Sequence, residues 1–336
     1  MAEVTLKKLA ELLNLSISTI SRSLSDDYQI NPATKQRVID LARELDYQPN
    51  PYAGSLRKKG SKTIAIILPE ITNNFFSLAI AGIEEVAQQK GFHVLIYLTH
   101  ENYFKEVEIA NHLMNGRVDG ILMSLSSETN NLEHLNKLIE KGIPLVLFDR
   151  VSDNVNSPHV TTDDFDVSFE ATEHLIQQGS KKIAFLSLSR YLSIAEKRFQ
   201  GYAAALTAHG IAIDDNLIVS LKSSLDQNYD FVKKLITEQK PDAIFASVES
   251  LAMTVYEVLD DLKLRIPEDI RLLSFSNLRI ASFLAPSLTS ITQPAFEIGR
   301  HSASILTRAI KYGKFEIPLE KVILKSELHI RNSTTS

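Results

Sequence analysis

Two sets of side chains in this 336-residue chain have types and spacings that could do chemistry. The first is contiguous. Ile17-Ser18-Thr19-Ile20-Ser21-Arg22 places short, hydrogen-bonding side chains and one guanidinium on successive turns of a single helical stretch. Short side chains let a helix approach a base-pair edge closely, and a guanidinium can grip guanine through two parallel hydrogen bonds. The second set is scattered. Asn73, Phe75 and Phe76 follow an apolar run, Asp149 ends another in Phe148-Asp149-Arg150, and Arg198 lies in Ala195-Glu196-Lys197-Arg198-Phe199. The phenylalanine pair could stack on a sugar or a base with Asn73 hydrogen-bonding beside it, or could be core. The Asp149 carboxylate could accept two sugar hydroxyls or cap a loop. Arg198 is read as opening a helix. A cation is disfavoured there by the helix dipole, so it invites an anionic or hydroxyl partner.

Neither set places a nucleophile beside a base. The absence of cysteine excludes disulfides, thiolate zinc sites and cysteine nucleophiles together. No G-x-G-x-x-G, P-loop or G-x-S-x-G pattern occurs, and His100-Glu101 is followed by Phe104 where a zinc-binding H-E-x-x-H would need histidine. The chain is therefore read as a binding protein rather than an enzyme, with no catalytic residue, metal site or cofactor expected.

The elements that must position the first set are short helices with clear start signals. Thr5 can cap a helix carrying Leu6, Leu9, Ala10 and Leu13; Ser16 can cap one from Ile17 to about Leu24; Asn31-Pro32 opens a third carrying Val38, Leu41, Ala42 and Leu45. Asn14-Leu15-Ser16 is the turn between the first two, and asparagine tolerates the left-handed backbone that a sharp turn needs. Small Ala10 suits a close helix crossing and Ile20 can plug the space between the helices. Together these make a helix-turn-helix, against the plainer alternative of a small three-helix bundle. Asn50-Pro51 can start one further short helix, which ends in Leu56-Arg57-Lys58-Lys59. Leu56 beside three cations reads either as a linker with a stray leucine or as a wedge that pries open a base step in the minor groove.

The elements that must position the second set alternate. Strand-like runs at 63–68, 92–98, 120–125, 145–148, 183–188, 243–246 and 272–275 are interleaved with amphipathic stretches such as 78–90, 132–141, 168–178 and 251–262. That alternation indicates parallel sheets covered by helices on both faces. About 270 residues exceed one such layer set, so two lobes are expected. In open α/β sheets ligands bind beyond the carboxyl ends of strands, which places one ligand between the lobes.

Charge divides along the same line. Residues 1–62 carry ten Lys and Arg against seven Asp and Glu, a net +3, while the remainder carries 26 against 34, a net −8. A basic segment on an acidic body suggests a nucleic-acid module joined to something else. The longest apolar runs are strand-sized and the N-terminus lacks a signal peptide, so a soluble cytoplasmic protein with no membrane partner is expected.

"LKKLAELLNLSISTISRSL", "INPATKQRVIDLARELDYQPNPYAGSL" and "KTIAIILPEITNNFFSLAIAGIE" resemble the lactose repressor/galactose repressor (LacI/GalR) family of transcription regulators, and the likeness continues to the C-terminus. The resemblance implies an all-α helix-turn-helix headpiece (1–49) and a hinge helix and linker (50–62). A periplasmic-binding-protein-like core of two doubly wound parallel-sheet lobes follows (63–336). Chain crossovers divide that core into about 63–159 with 291–323, and about 160–290 with 324–332. It also implies that Ile17, Ser18 and Arg22 read bases and that Ala53 and Leu56 sit in the minor groove. The full set of candidate DNA contacts is Thr5, Ser16, Ile17, Ser18, Thr19, Ser21, Arg22, Asn31, Thr34, Tyr47, Asn50, Ala53, Ser55, Leu56 and Arg57. Gly54 departs from the arginine usual in the family. The implied effector contacts are Asn73, Phe75, Phe76, Asp149, Arg198, Glu249 and Ser276. Three positions depart: Val248 and Glu249 stand where sugar-binding members carry Asn-Asp, and Ser276 stands where they carry aspartate. The expected activity is that of a homodimeric repressor of palindromic operator DNA, controlled by a sugar-like or phosphorylated metabolite. Two recognition helices must meet two half-sites, which requires at least a dimer. The competing reading is a solute-binding protein of a transport system, which the basic headpiece and missing signal peptide disfavour.

Overall fold

The computed structural model describes residues 5–47, 60–188, 192–221, 225–312 and 319–335. The chain divides into two compact units, Met1–Gly60 and Ser61–Ser336.

The first unit holds helices α1 (Leu6–Leu13), α2 (Ile17–Leu24) and α3 (Pro32–Glu44). Each begins at a side-chain cap: Thr5 Oγ1 accepts from Lys8 N, Ser16 Oγ from Thr19 N and Asn31 Oδ1 from Ala33 N. Such caps satisfy donors that the first turn leaves without partners, each contributing about 1 kcal/mol. Asn14 ends α1 at φ 51°, the left-handed turn expected of it. Leu9, Ala10, Ile20, Val38 and Ala42 form the small core. The further helix expected from Asn50-Pro51 lies outside the described residues.

The second unit contains two six-stranded sheets. In chain order its elements begin β1 (Thr63–Leu68), α4 (Asn74–Gln89), β2 (His93–Leu98), α5 (Tyr103–Leu113), β3 (Gly120–Met123), α6 (Glu133–Glu140), β4 (Leu145–Phe148) and β5 (His159–Thr162). Next come α7 (Asp164–Gln177), β6 (Ile183–Ser187), α8 (Ser193–Ala208), β7 (Ile218–Ser220), α9 (Leu225–Gln239), β8 (Ala243–Ala246), α10 (Glu249–Asp261), β9 (Arg271–Phe275) and β10 (Thr289–Thr292). The last are α11 (Ala295–Tyr312), β11 (Lys321–Leu324) and β12 (Glu327–His329). The first sheet runs β11-β5-β4-β3-β1-β2 and the second β12-β10-β9-β8-β6-β7. All pairings are parallel except β10 with β12, an antiparallel edge that departs from an all-parallel expectation.

The central strands of both sheets are buried on both faces, which explains why they read as unbroken apolar runs. In the first lobe, one face packs Ile64, Ile66 and Leu68 against α4 and α11, and the other packs Ala65 and Ile67 against α5 and α6. In the second, α9 and α10 cover one face and α7 and α8 the other. Helices α4 and α11 cross where Gly82 faces the Phe296 carbonyl and Gly299 the Ala79 carbonyl. A Cβ at either glycine would lie 2.1 Å from that oxygen, so neither position admits a side chain without moving the helices apart.

The chain crosses between lobes three times. Strand pairing puts His159–Thr162 in the first sheet and Thr289–Thr292 in the second, so the crossings follow 162, 292 and 324. These points lie one to three residues later than the divisions expected at about 159, 290 and 323. The reason is that β5 is polar (His159-Val160-Thr161-Thr162) yet fully buried between β4 and β11. The crossings lie side by side: Asp163 N donates to the Leu324 carbonyl, and Ser326 N donates to Asp163 Oδ1.

Candidate functional site

In the first unit, α2 holds the side chains expected to read bases. Ile17, Ser18 and Arg22 are exposed, while Thr19 and Ser21 are half-buried. Ser16 does more than cap. Its Oγ lies 2.8 Å from both Ser18 Oγ and Thr19 Oγ1, tying the N-terminal end of α2 into one hydroxyl cluster. Arg22 Nε donates to Asp27 Oδ2 at 2.9 Å, and its Nη2 donates to Gln29 Oε1. Thr5 and Asn31 cap their helices at the surface, Thr34 is half-buried on α3, and Tyr47 packs against the headpiece core. Asn50, Ala53, Ser55, Leu56 and Arg57, with Gly54, lie outside the described residues.

In the second unit, all seven of the implied effector contacts line one cleft between the lobes, beyond the carboxyl ends of their strands. The cleft opens to solvent and holds about 60 Å³ of water-accessible space, room for a few water molecules in this arrangement of the lobes.

From the first lobe, Asn73 caps α4 by accepting from Phe75 N at 2.9 Å, which commits its amide oxygen to the helix. Phe75 and Phe76 are both buried, their rings edge to face with centroids 5.3 Å apart. The pair is packed into the core of the first lobe and also forms one wall of the cleft. Asp149 leaves β4 at φ 58°, a left-handed backbone that non-glycine residues adopt at a cost and that often marks functional turns. Gln293, on the crossing after β10, donates to Asp149 Oδ1 at 3.4 Å and to Thr162 Oγ1 at 3.0 Å.

From the second lobe, Arg198 lies in the second turn of α8 rather than at its start, because the helix begins at Ser193. The expected acidic partner is internal: Nε donates to Asp164 Oδ1 at 2.7 Å, Nη1 to the Ser247 carbonyl at 2.5 Å, and the guanidinium sits 3.5 Å over the Phe275 ring. Its Nη2 is buried with no hydrogen-bond partner among the described residues. Glu249 opens α10 and spans the cleft. Its Oε2 accepts from Ser276 Oγ at 2.8 Å and Asn277 N at 3.1 Å, and its Oε1 accepts from Asn74 Nδ2 of the first lobe at 3.2 Å. The glutamate carboxylate thus reaches the Ser276 position itself.

Burial pushes the Asp149 carboxyl up to about 6, with Arg150 and Arg198 pulling the other way. Burial also works against ionised Glu101. There the Arg150 guanidinium, which gives both carboxylate oxygens an Nη1 hydrogen bond at 2.8 and 2.9 Å, and the Ser127 N–H outweigh it and hold Glu101 below the usual range. Arg150 and Arg198, the arginines lining the cleft among the described residues, are therefore both paired with carboxylates. Asp149, whose Oδ2 also lies 4.0 Å from Arg150 Nε, and Glu249 are the acidic groups among the described lining residues.

Arg150, Asn277 and Gln293 also line the cleft and were not singled out from sequence. The adjacency of Arg150 to Asp149 was the one available signal. Nothing local marks Gln293, whose role comes from the chain crossing at that point. Among the described residues no helix is long and apolar enough to cross a membrane.

Residues 61–332 match the family described as periplasmic binding proteins and sugar binding domain of the LacI family, and residues 5–50 match bacterial regulatory proteins of the lacI family. Over 334 residues the chain is 31% identical to catabolite control protein A of Priestia megaterium, covering 98% of this chain and 99% of that protein. It is 27% identical to a LacI-family transcriptional regulator from Enterococcus faecium with bound ribose, with a TM-score of 0.72 over 81% of this chain and 98% of that one. The fold matches one chain from the structure of the Lac repressor dimer bound to operator and the anti-inducer ONPF, with TM-score 0.84, 21% identity and coverage of 100% of this chain and 100% of that one. With its helix-turn-helix headpiece and two-lobed core both matched, the chain belongs to the LacI family of bacterial DNA-binding transcription regulators.

Proposed function

We propose that this regulator is a cytoplasmic, homodimeric repressor that reads palindromic operator DNA through α2 and is controlled by a neutral, hydroxyl-rich, sugar-like molecule held between its lobes. The observation that carries the effector reading is the charge pairing of the cleft. Among the described residues that line the cleft, Arg150 is bound to Glu101 and Arg198 to Asp164, so both arginine charges are matched, while Asp149 and Glu249 offer carboxylate acceptors to hydroxyl donors. The buried Arg198 Nη2 supplies a donor for a hydroxyl oxygen. Of the two effector classes expected from sequence, this favours the sugar over the phosphorylated metabolite. Ribose lies in one relative and cellobiose in another.

The dimer is supported by apolar surface on both lobes. The edge strand β2 exposes Leu95 and Ile96, with Leu78 exposed on α4, and Ile280 and Phe283 are exposed on the second lobe. An exposed apolar edge strand is a surface that soluble proteins normally cover.

In this mechanism the effector acts by binding one arrangement of the lobes better than the other, which changes the spacing of the two headpieces on DNA. Calorimetric titration of the full chain with ribose, cellobiose and glucose 6-phosphate tests the effector class. Heat with a neutral sugar and none with the phosphate is the expected result; heat with the phosphate alone overturns the class. Mobility shift on a palindrome selected from random DNA, with and without that sugar, tests the control.

A further inference from the structure

We infer that Asp27 is a positioning residue for base reading, holding one side of the Arg22 guanidinium so that only its outer end is presented to guanine. The inference rests on the reading that Arg22 contacts a base in the major groove.

A guanidinium carries five N–H donors in a fixed plane and can grip a pair of acceptors in two ways: side-on through Nε and Nη2, or end-on through Nη1 and Nη2. In this headpiece the side-on face is filled. Asp27 Oδ2 takes the Nε hydrogen at 2.9 Å and Gln29 Oε1 takes one from Nη2. What remains is the end-on pair, the geometry that matches O6 and N7 of guanine. The Arg22 side chain keeps 48% exposure while Asp27 keeps 26%, so the arginine stays accessible while its anchor is partly enclosed.

Asp27 is itself fixed, which separates a positioning group from a chance surface partner. Its Oδ1 accepts from Gln29 N at 2.9 Å, and its own N–H donates to the Arg22 carbonyl at 3.0 Å. The turn is further pinned by Asp26, which adopts φ 52° and pairs with Lys35 of α3 at 2.7 Å. The Gln29 N–H and Arg22 together hold the Asp27 carboxyl below the usual aspartate range. The carboxylate therefore stands on backbone directly after α2, rather than on a flexible stem.

This placement has an electrostatic consequence. A carboxylate beside the DNA-facing helix opposes phosphate attraction, which acts on every sequence alike. Asp27 thus lowers sequence-independent affinity while restricting Arg22 to one orientation, and both effects raise the ratio of specific to non-specific binding.

The test uses the full-length chain and its selected palindrome. Operators with single base-pair changes are competed against the parent at fixed salt, alongside non-specific DNA. Arg22→Ala identifies the read position as the one where preference is lost, by roughly tenfold or more. Asp27→Asn is expected to reduce discrimination at that position by about three- to fivefold, the range of a single exposed ion pair. It should leave the other positions unchanged and tighten non-specific binding. In the Arg22→Ala background, Asp27→Asn should still tighten non-specific binding but no longer touch discrimination. Gln29→Ala removes the Nη2 acceptor without altering the Asp27 carboxylate, and should lower discrimination at the same position even if Asp27→Asn unfolds the headpiece. Unchanged or improved discrimination in Asp27→Asn or Gln29→Ala overturns the assignment and makes the ion pair a competitor of DNA. Retained base preference in Arg22→Ala overturns the reading beneath it as well.

Discussion

Two of the molecule's arginine–aspartate pairs place the same chemistry in opposite surroundings. Arg22 and Asp27 meet at 2.9 Å with 48% and 26% of their side chains exposed; Arg198 and Asp164 meet at 2.7 Å with 5% and 2% exposed. Five residues separate the first pair and 34 the second. The exposed pair leaves the outer donors of its guanidinium open to solvent, so Asp27 can hold Arg22 by one side while the other stays free for a partner. The buried pair cannot release either partner without stranding a charge, so it serves as a fixed wall on which a ligand is received. Headpiece interactions are therefore local and separable, whereas those of the cleft are coupled across both lobes.

The sharpest way to break this contrast is to remove one member of the buried pair. Asp164→Ala or Arg198→Leu leaves the partner charged and enclosed, and should cost the core about 3–5 kcal/mol in urea denaturation. Replacing both with apolar residues of similar volume should recover most of that loss while abolishing the response to effector. A single substitution costing less than about 1 kcal/mol would show that water reaches the pair, and the distinction between wall and presenting group would fall.

The next effect concerns protons. Asp149 stands at about 6 in the folded chain, raised by burial above an unfolded value of about 4. A folded value above the unfolded one contributes stability that is fully present below pH 4 and lost as pH rises through 6. Ionised Asp149 thus costs on the order of 3 kcal/mol at pH 7.5. Asp149→Asn should be more stable than the parent at pH 7.5, with the difference shrinking below pH 5 in thermal melts at matched ionic strength. Hydroxyl donors bind the ionised form, so sugar affinity should weaken as pH falls below 6, by up to tenfold per pH unit. Asp27 in the headpiece is shifted the other way, down. Its contribution is present above the unfolded aspartate value and lost as pH falls through its lowered folded value, so acid loosens the Arg22 anchor as well as the effector contact.

The same division governs what could be read from residue order. Thr5, Ser16 and Asn31 declared their helices because cap donor and acceptor lie within three residues of each other. Central strands such as β1 and β3 were legible as apolar runs because helices cover both faces. Strand β5 was not, since its threonines and histidine are buried by its place between β4 and β11, the latter 162 residues later from His159 to Lys321. Arg198 was recognisable as a cation needing an acidic partner, but not as the partner of Asp164. Glu249 is the strongest case: beside Val248 it looks like a one-methylene departure from a family pattern, and only the fold shows its carboxylate meeting Ser276 and Asn74.

That last contact lies between the two arginine pairs in character. The Asn74 Nδ2 to Glu249 Oε1 hydrogen bond joins the lobes at 3.2 Å across a half-buried gap. A hydrogen bond to a charged acceptor is usually worth about 1.5–3 kcal/mol, and the length and partial exposure of this one place it near the lower end. A ligand that enters by parting the lobes must first break it. Asn74→Ala should therefore lower the thermal stability of the core slightly and widen the lobes in small-angle scattering. It should also tighten sugar binding by several-fold, since part of the opening free energy no longer opposes the ligand. Ser276→Ala leaves the inter-lobe bond in place and removes only support within the second lobe, so it should not tighten binding. Equal responses from the two variants would mean that Glu249 acts through local support rather than as a latch. The cleft would then resemble the headpiece, in which each contact can be altered on its own.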